Sequence, residues 1–446
     1  MSVASRSLFY GSCAVLAAAL VLGGSGAAAP LHNLIVELAA LGLLVAILAN
    51  PAQLFPPRRG EWPALLLLLL VVLTPLLQLV PLPPAVWTGL PGRDLAASID
   101  GVVGLQEWRP LSLDPEATSL AGAYLLLPTA LFLAVLQMRE EERERLSLLI
   151  ACGAATSLVL GVLQVATAGT SFHLYTNSHN GFATGFFANK NHQADLLLIG
   201  MLFASALISQ LRKVSLVIRW TLLFAAVIAF SAGVVAANSR MGLMLLPIAI
   251  LGSFSFFYPV DRRRPAILLL LAAAIIMIGV FLAASGNTQV VMRRFQGFSD
   301  GRFQFWAEAM YAVKLYFPWG SGLGTFDPVF RTIENLNSLD GLYVNHAHND
   351  YVQILLEAGA WGAALVVLFI GLFGWLSFRR RPDGSTLPIG RAATLSIVII
   401  LLHSTVDYPL RTLILLSLFG VFVALLHPAG GHRVQAAARV KVFESA

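Results

Sequence analysis

A polar cluster joined directly to a long apolar run indicates the class of fold to which this chain belongs. Residues 345–378 have the sequence NHAHNDYVQILLEAGAWGAALVVLFIGLFGWLSF. About 20 apolar residues are enough to cross the hydrocarbon core of a bilayer, so this run is long enough to span a membrane. Two histidines and a carboxylate therefore lie where a polar loop meets hydrocarbon. Ionisable groups are costly to desolvate there, which makes them candidates for function.

The rest of the chain has the same apolar character. Of its 446 residues, 57% are hydrophobic and 12% are charged, whereas a soluble domain carries about 25% charged residues. The two cysteines, Cys13 and Cys152, both lie in apolar runs and indicate neither a disulfide framework nor a zinc site. We therefore predict an all-α polytopic membrane protein with about 12 transmembrane helices.

Apolar stretches of about 20 residues mark the predicted spans. They cover residues 7–28, 33–50, 63–81, 118–137, 146–168, 193–211, 217–237, 241–259, 265–284, 350–378, 392–407 and 411–427. The chain then divides into a first group of spans (1–284), a long outer loop (285–349), a second group (350–427) and a tail (428–446). A cleaved signal peptide is an alternative for the first span, because Ala27-Ala28-Ala29 resembles a cleavage site, although Pro30 disfavours cleavage.

The distribution of Lys and Arg predicts which side of the membrane each loop faces. If both termini are cytoplasmic, most of the 29 basic residues lie in cytoplasmic segments. These clusters also account for the net charge of +6 without a nucleic-acid partner. The cytoplasmic loops are too short for a catalytic domain, and most of the histidines lie outside. An active site is therefore expected at the outer face.

The loop 285–349 is the one outer segment in which we expect independent structure. From Arg302 to Phe317, apolar residues recur at helical spacing, and Pro318 ends the pattern. We predict an amphipathic helix that lies on the membrane domain. Its apolar face is expected to contain Phe303, Trp306, Met310, Val313 and Phe317. The glycine-rich residues 320–325 follow no strand, so we interpret them as a turn rather than a phosphate-binding loop.

Other polar motifs lie at the outer ends of predicted spans. Residues 114–116, Asp-Pro-Glu, are typical of a helix start. Asn189 or Asn191 can cap the sixth span, and Lys190 either anchors at the interface or binds an anion. Arg240 lies between two spans with almost no loop. It either contacts lipid headgroups or holds a phosphate through its planar fork.

The cluster of His346, His348 and Asp350 is open to three interpretations. Imidazole and carboxylate groups suit a metal site. Asn349 or Asp350 can instead cap the next helix. A histidine can also act as a general base, because its pKa allows it to take a proton near neutral pH.

Two further sets of polar residues follow the cluster. Glu357 lies two turns beyond Asp350 on the same helix face, where it is either a buried hydrogen-bonding partner or a polar residue on the packing side. Residues 403–411 bring a histidine, a serine, an aspartate and an arginine to the outer ends of the last two spans. A serine hydrolase is disfavoured, because the chain has no Gly-x-Ser-x-Gly sequence.

Taken in order, these motifs resemble the bacterial O-antigen ligase and polysaccharide polymerase superfamily. The resemblance covers residues 185–362. The matching sets are Phe187/Asn189/Asn191, Ser239/Arg240/Gly242, Arg302/Trp306, Pro318/Gly320/Gly322, His348/Asn349/Tyr351 and Glu357/Gly359/Gly362. His403, Asp407 and Pro409 resemble a further motif common in the exopolysaccharide branch.

The resemblance implies a GT-C-like, metal-independent glycosyltransferase of the bacterial inner membrane that needs no cofactor. Its donor would be a glycan on undecaprenyl diphosphate, presented at the periplasmic face. Arg240 and Arg302 would bind the diphosphate, with Lys190 as a further ligand, and His348 would activate the acceptor hydroxyl. The supporting residues would be His346, Asn349, Asp350, Glu357, Asn189, Asn191, His403 and Asp407. We expect Asp350 or a backbone carbonyl to set the tautomer of His348.

Three functions are compatible with these motifs. The exopolysaccharide-type motif favours a polymerase, whose acceptor is another lipid-linked repeat unit. The alternative within the family is a ligase that attaches the glycan to lipid A–core. A lipid-linked sugar transporter or flippase is the alternative from another class. Transporters usually place their polar residues near the bilayer midplane, whereas here the polar residues gather on one face.

Overall fold

The computed structural model describes residues 3–25, 29–49, 57–58, 60–176, 178–179, 181–257, 302–335, 344–378 and 388–429. This part of the chain is almost entirely helical. The helices are α1 (Val3–Leu22), α2 (Pro30–Leu48), α3 (Trp62–Gln78), α4 (Pro84–Trp87), α5 (Asp94–Val103), α6 (Pro115–Tyr124), α7 (Leu126–Gln137), α8 (Glu140–Ala166), α9 (Lys190–Ser209), α10 (Leu216–Ala237), α11 (Arg240–Ser255), α12 (Arg302–Tyr316), α13 (Phe326–Ile333), α14 (Asp350–Phe378), α15 (Pro388–His403) and α16 (Leu413–Leu425). A 3-10 turn, Pro409–Arg411, precedes α16.

The helices confirm an all-α membrane protein. Within the described residues, 6 helical segments are long and apolar enough to cross a membrane: Pro30–Leu48, Pro115–Gln137, Glu140–Ala166, Lys190–Ser209, Leu216–Ala237 and Asp350–Phe378. Five other predicted spans coincide with the shorter apolar helices α1, α3, α11, α15 and α16. The predicted span 265–284 lies outside the described residues. The count of 12 spans and the sidedness of the loops remain predictions.

Helix α9 lies at the centre of the bundle. It packs against α8, α10, α11 and α15, and most of its side chains are buried. Close approach to α8 depends on Gly200, since a Cβ there would lie 2.3 Å from the Cβ of Ala154. The start of α11 also lies close to α9, because a Cβ on Gly242 would lie 2.6 Å from the Cβ of Ala194 in α9. The N-terminal ends of α9 and α11 are therefore neighbours.

The segment 82–117 corrects the expectation that only the loop 285–349 has its own structure. It forms α4, α5 and a two-stranded antiparallel ribbon, in which β1 (Pro81–Leu82) pairs with β2 (Arg109–Pro110). The ribbon is tied to α5 by a 2.6 Å ion pair between Arg109 and Asp100. Its short elements carry no long periodic pattern, so hydrophobic periodicity did not reveal them.

Helix α14 is interrupted at Gly359, whose φ of 57° and ψ of −143° are not helical. A broken helix leaves backbone carbonyls that must find partners inside a membrane protein. The predicted turn after α12 supplies them. The amide of Ser321 donates to the carbonyl of Leu356 at 3.0 Å, and the amide of Gly322 donates to that of Glu357 at 2.9 Å. The glycine-rich segment is thus a structural turn seated against the break.

Helix α12 forms as predicted, but it buries a different face. Within the described side chains, Ala309, Ala312 and Val313 are buried. Val313 also belongs to the predicted apolar face, but Met310 and Phe317 of that face are 37% and 49% exposed, and the side chain of Phe303 lies outside the described residues. The helix is apolar on several sides, so its periodicity could not single out the face that packs on α14.

Candidate active site

The histidine cluster lies on a short loop that is held at its middle residue. The amide of Ala347 donates to Gln353 Oε1 at 3.3 Å, and its carbonyl accepts a 2.9 Å hydrogen bond from Trp306 Nε1. Asn349 then caps α14, because its Oδ1 accepts from the amides of Tyr351 and Val352. The loop therefore presents His346 and His348 from a fixed frame between α12 and α14.

His348 is oriented by Asp407. The expectation that Asp350 or a backbone carbonyl would orient this histidine was wrong. Its Nδ1 lies 3.3 Å from Asp407 Oδ1, and its side chain is 24% exposed. An ionised carboxylate only accepts hydrogen bonds, so Nδ1 carries the proton and Nε2 keeps its lone pair. His348 also has a φ of 49°, in the left-handed region that only a few per cent of non-glycine residues adopt, most often Asn, Asp and His. Such strain is often found at functional sites.

Asp407 joins two distant motifs. Its second oxygen accepts a 2.5 Å hydrogen bond from Asn191 Nδ2 in α9, and the amide of Tyr408 donates to the first oxygen at 3.0 Å. The carboxylate is fully buried. Burial by itself would raise the pKa of Asp407. The hydrogen bond with His348 and the positive potential of His192, His348 and His403 nevertheless hold that pKa well below its usual range.

Asp350 and Glu357 form a separate group around Arg411. Arg411 Nη1 donates to Glu357 Oε2 at 2.9 Å, and Arg411 Nε lies 3.5 Å from Asp350 Oδ1. Asp350 also accepts a 2.8 Å hydrogen bond from the hydroxyl of Ser404. Burial would lower the pKa of Arg411, but the two carboxylates raise it overall. The prediction that Glu357 is a buried hydrogen-bonding partner agrees with this geometry, and Arg411 was not predicted.

His346 has its own partner, so the three ionisable groups of the cluster do not converge on one point. Its Nδ1 lies 3.2 Å from Gln353 Nε2. Burial, followed by the charge of Arg411, lowers the pKa of His346 to about 3. Within the described part of the chain, no group of three or more His, Cys, Asp and Glu side chains is arranged to hold a metal ion.

Tyr408 is another residue of this site that the sequence analysis did not single out. Its ring centroid lies 4.3 Å from that of His346, 4.9 Å from that of His348 and 5.1 Å from that of His192. One half-buried aromatic ring thus separates three imidazoles. Its position next to Asp407 in the sequence was the only available signal.

His403 does not join the cluster of His346, His348 and Asp407. Its Nδ1 lies 2.6 Å from Asp195 Oδ1, and both side chains are buried between α15 and α9. Asp195 was not predicted, although it lies on α9, six residues after the cap Asn189. This pair links the two helices beneath the site.

The three predicted phosphate-binding cations all lie at helix N-termini. Lys190 begins α9, where its Nζ is 3.5 Å from the ring centroid of Phe182. Arg240 begins α11 and is exposed, directly after the cap Ser239. Arg302 begins α12 one turn before Trp306, but its side chain lies outside the described residues. Helix N-termini carry partial positive charge, which adds to these side chains as an environment for an anion.

The caps agree with the sequence analysis. Asn189 Oδ1 accepts from the amide of Asn191 at 2.9 Å, so Asn189 rather than Asn191 caps α9. Asp114 Oδ1 accepts from the amide of Ala117 at 3.0 Å and caps α6. Asn191 is released from capping and is free to contact Asp407 through its side chain.

The comparison with known families agrees with these motifs. Residues 224–367 match the family model described as O-Antigen ligase. This range includes Arg240, Arg302 and His348, and it confirms the resemblance inferred from the sequence. A search of curated proteins finds no match to the chain.

Proposed function

We propose that this chain, which belongs to the O-antigen ligase-related superfamily, is an inverting glycosyltransferase of the bacterial inner membrane. Its donor is a glycan on undecaprenyl diphosphate, and its acceptor is a sugar hydroxyl at the periplasmic face. The observation that carries the proposal is the double contact of Asp407 with His348 and Asn191. It connects the histidine loop to the end of α9, next to the N-terminus of α11 where Arg240 lies.

In the proposed mechanism, His348 is the general base. Its Nδ1–H bonds to Asp407, which leaves Nε2 to take the proton of the acceptor hydroxyl. The oxygen then attacks the anomeric carbon on the face opposite the diphosphate, so the configuration inverts. The bond from that carbon to the phosphate oxygen breaks, and the lipid diphosphate leaves with the electron pair.

Arg240 and Arg302, with Lys190 as a further ligand, neutralise the charge that develops on the diphosphate. Their role is electrostatic, and fixed cations are effective in a site that excludes water. Arginine suits this task because its planar fork makes bidentate contacts with phosphate. The diphosphate is already a good leaving group, so no general acid is needed.

Polymerase activity is favoured over ligase activity. The motif of His403, Asp407 and Pro409 resembles the exopolysaccharide branch, and one member of it, Asp407, contacts the base. The acceptor would then be a second lipid-linked repeat unit. A ligase would use the same base and the same cations with lipid A–core as acceptor.

Transfer by purified protein in lipid nanodiscs tests the proposal. The wild type is expected to transfer glycan from a synthetic undecaprenyl-diphosphate donor. His348→Asn is expected to lower the rate by about 10²–10⁴-fold, the usual contribution of a general base. Asn tolerates the left-handed backbone of this position, so the fold should be kept. Arg240→Ala should also lose most activity, whereas Arg212→Ala, at the other end of α9, should keep it.

The acceptor is identified in the same assay. Long products formed from lipid-linked repeat units alone indicate a polymerase, and products formed only with lipid A–core indicate a ligase. Full activity of both His348→Asn and Arg240→Ala would show that the mechanism is wrong. Movement of the lipid-linked sugar across the membrane without any transfer would support a transporter instead.

A further inference from the structure

His346 and His348 are two residues apart on the same loop, but their Nδ1 atoms have partners of opposite kind. His348 Nδ1 faces the carboxylate of Asp407, which can only accept. His346 Nδ1 faces the side-chain nitrogen of Gln353, which can only donate. A neutral imidazole has one N–H group. Nε2 of His348 is therefore an acceptor, whereas Nε2 of His346 is a donor.

The orientation of the Gln353 amide is determined by its other partners. Its Nε2 lies 3.0 Å from Glu357 Oε1, and its Oε1 accepts from the amide of Ala347 at 3.3 Å. Exchanging oxygen and nitrogen would place two acceptors together at Glu357 and two donors together at Ala347. Glu357 is held as an acceptor by Arg411, which donates to its other oxygen at 2.9 Å. The chain of hydrogen bonds from Arg411 through Glu357 to Gln353 therefore makes Nδ1 of His346 an acceptor.

Protonation of His346 at both nitrogens is opposed by its burial and by its neighbours. Gln353 already occupies Nδ1, and the positive charge of Arg411 faces the ring. Tyr408 covers one face of the imidazole, with ring centroids 4.3 Å apart. The pKa of His346 is lowered to about 3, first by burial and then by Arg411. His346 thus stays neutral, and Nε2–H is its one group left for a substrate.

We propose that the two histidines work as a pair of opposite tautomers, in which His346 donates Nε2–H to an oxygen of the acceptor sugar while His348 takes the proton of the attacked hydroxyl. This inference rests on the proposed transferase function. Both imidazole rings contact the ring of Tyr408, so one acceptor sugar bound against this tyrosine can reach both histidines. The hydrogen bond from His346 holds the acceptor sugar in place, so loss of this bond is expected mainly to raise the KM for the acceptor.

Substitutions that replace one ring nitrogen of His346 but not the other test the proposed pair of opposite tautomers. The amide nitrogen of a glutamine reaches the position of imidazole Nε2, whereas that of an asparagine reaches only Nδ1. His346→Gln is therefore expected to keep the acceptor KM within a few-fold of the wild type. His346→Asn and His346→Leu are expected to raise it by about tenfold or more, with the donor KM unchanged. The acidic limb of the pH–rate profile should be the same in His346→Gln and in the wild type, since His346 does not titrate there.

Nitrogen-15 NMR of histidine-labelled protein tests the tautomer without any activity. The signal that disappears in His346→Gln should show an unprotonated Nδ1 and a protonated Nε2 between roughly pH 5 and 8. In Gln353→Leu this preference should be lost. An Nδ1-protonated or doubly protonated ring in the wild type overturns the inference. So does an unchanged acceptor KM in a folded His346→Leu, or an inactive His346→Gln beside an active His348→Asn.

The two proposals fail in different ways. A wild type that transfers no glycan from the lipid-linked donor, yet shows the expected histidine signals, removes the proposed function and with it the substrate role of His346. A wild type that transfers glycan normally while His346 shows the other tautomer removes only the present inference.

Discussion

At the scale of single residues, the site depends on how buried polar groups are paired. His346, His348 and Asp350 look alike as a sequence cluster, yet each contacts a different side chain: Gln353, Asp407 and Arg411. A polar group that loses water without gaining a partner is costly, so these pairings determine which ring nitrogen of each histidine carries its proton. The chemistry assigned to a histidine therefore follows from its neighbour rather than from its place in the motif.

Asp407→Asn should affect both activity and the pH dependence of stability. The pKa of Asp407 is lowered in the folded protein, so ionisation of the carboxylate stabilises the fold above the unfolded-state value of about 3.9. This stabilisation is lost as the pH falls through the folded-state pKa. The midpoint of thermal unfolding in Asp407→Asn should thus lie below that of the wild type by a constant amount at pH 7 and 5, and by less below about pH 4.

The rate of transfer in Asp407→Asn should fall at least about tenfold, because His348 loses the carboxylate that orients it. Asp327→Asn is the matched control, since Asp327 pairs with Arg331 on the surface of α13. A wild-type rate in Asp407→Asn would contradict the orienting role.

At the scale of elements, the break in α14 and the turn 317–325 form one unit. A Cβ on Gly359 would lie 2.0 Å from the carbonyl oxygen of Pro318, and the amide of Ala360 donates to that oxygen at 2.9 Å. Gln78 from α3 adds a 3.0 Å hydrogen bond to the carbonyl of Glu357. The broken helix is tolerated because protein groups satisfy the backbone that it frees.

Gly359→Ala should destabilise the protein, because the new methyl group clashes with Pro318 and φ is positive. Gly371→Ala, in the same helix, is a matched control. Its Cβ would meet nothing within 4 Å, and alanine favours a helix over glycine by about 1 kcal/mol. Thermal unfolding in detergent should show a lower midpoint for the first variant and an equal or higher one for the second. Equal midpoints in both variants would contradict the claim that the break in α14 depends on close contact with the turn.

At the scale of the whole molecule, packing brings the ends of α9, α11, α12 and α14 together with the turn after α15. Trp306 ties α12 to the histidine loop, Asn191 ties α9 to Asp407, and the pair of His403 with Asp195 joins α15 to α9. All motifs of the resemblance that fall on described side chains contribute to this end of the bundle or to the break in α14. The proposed orientation places this end in the periplasm.

Cysteine labelling checks that orientation. In a chain whose Cys13 and Cys152 are replaced by alanine, a single cysteine replaces either Glu107 or Lys213, both of which are exposed. An impermeant maleimide added to intact spheroplasts should label Glu107→Cys at once and Lys213→Cys only after the membrane is opened. The reverse pattern would place the site in the cytoplasm.

The membrane class, the positions of the described long helices, the cap Asp114 and the motif that contains His348 all follow from the sequence, which left the cap of α9 open between Asn189 and Asn191. These depend on local properties, namely the length of apolar runs and the side chains beside each helix start. The folded protein is needed to show which carboxylate orients His348, which face α12 buries and where His403 lies. Their partners are far apart in the chain, 59 residues for His348 with Asp407 and 208 for His403 with Asp195. Such contacts follow from how helices pack, which no local pattern records.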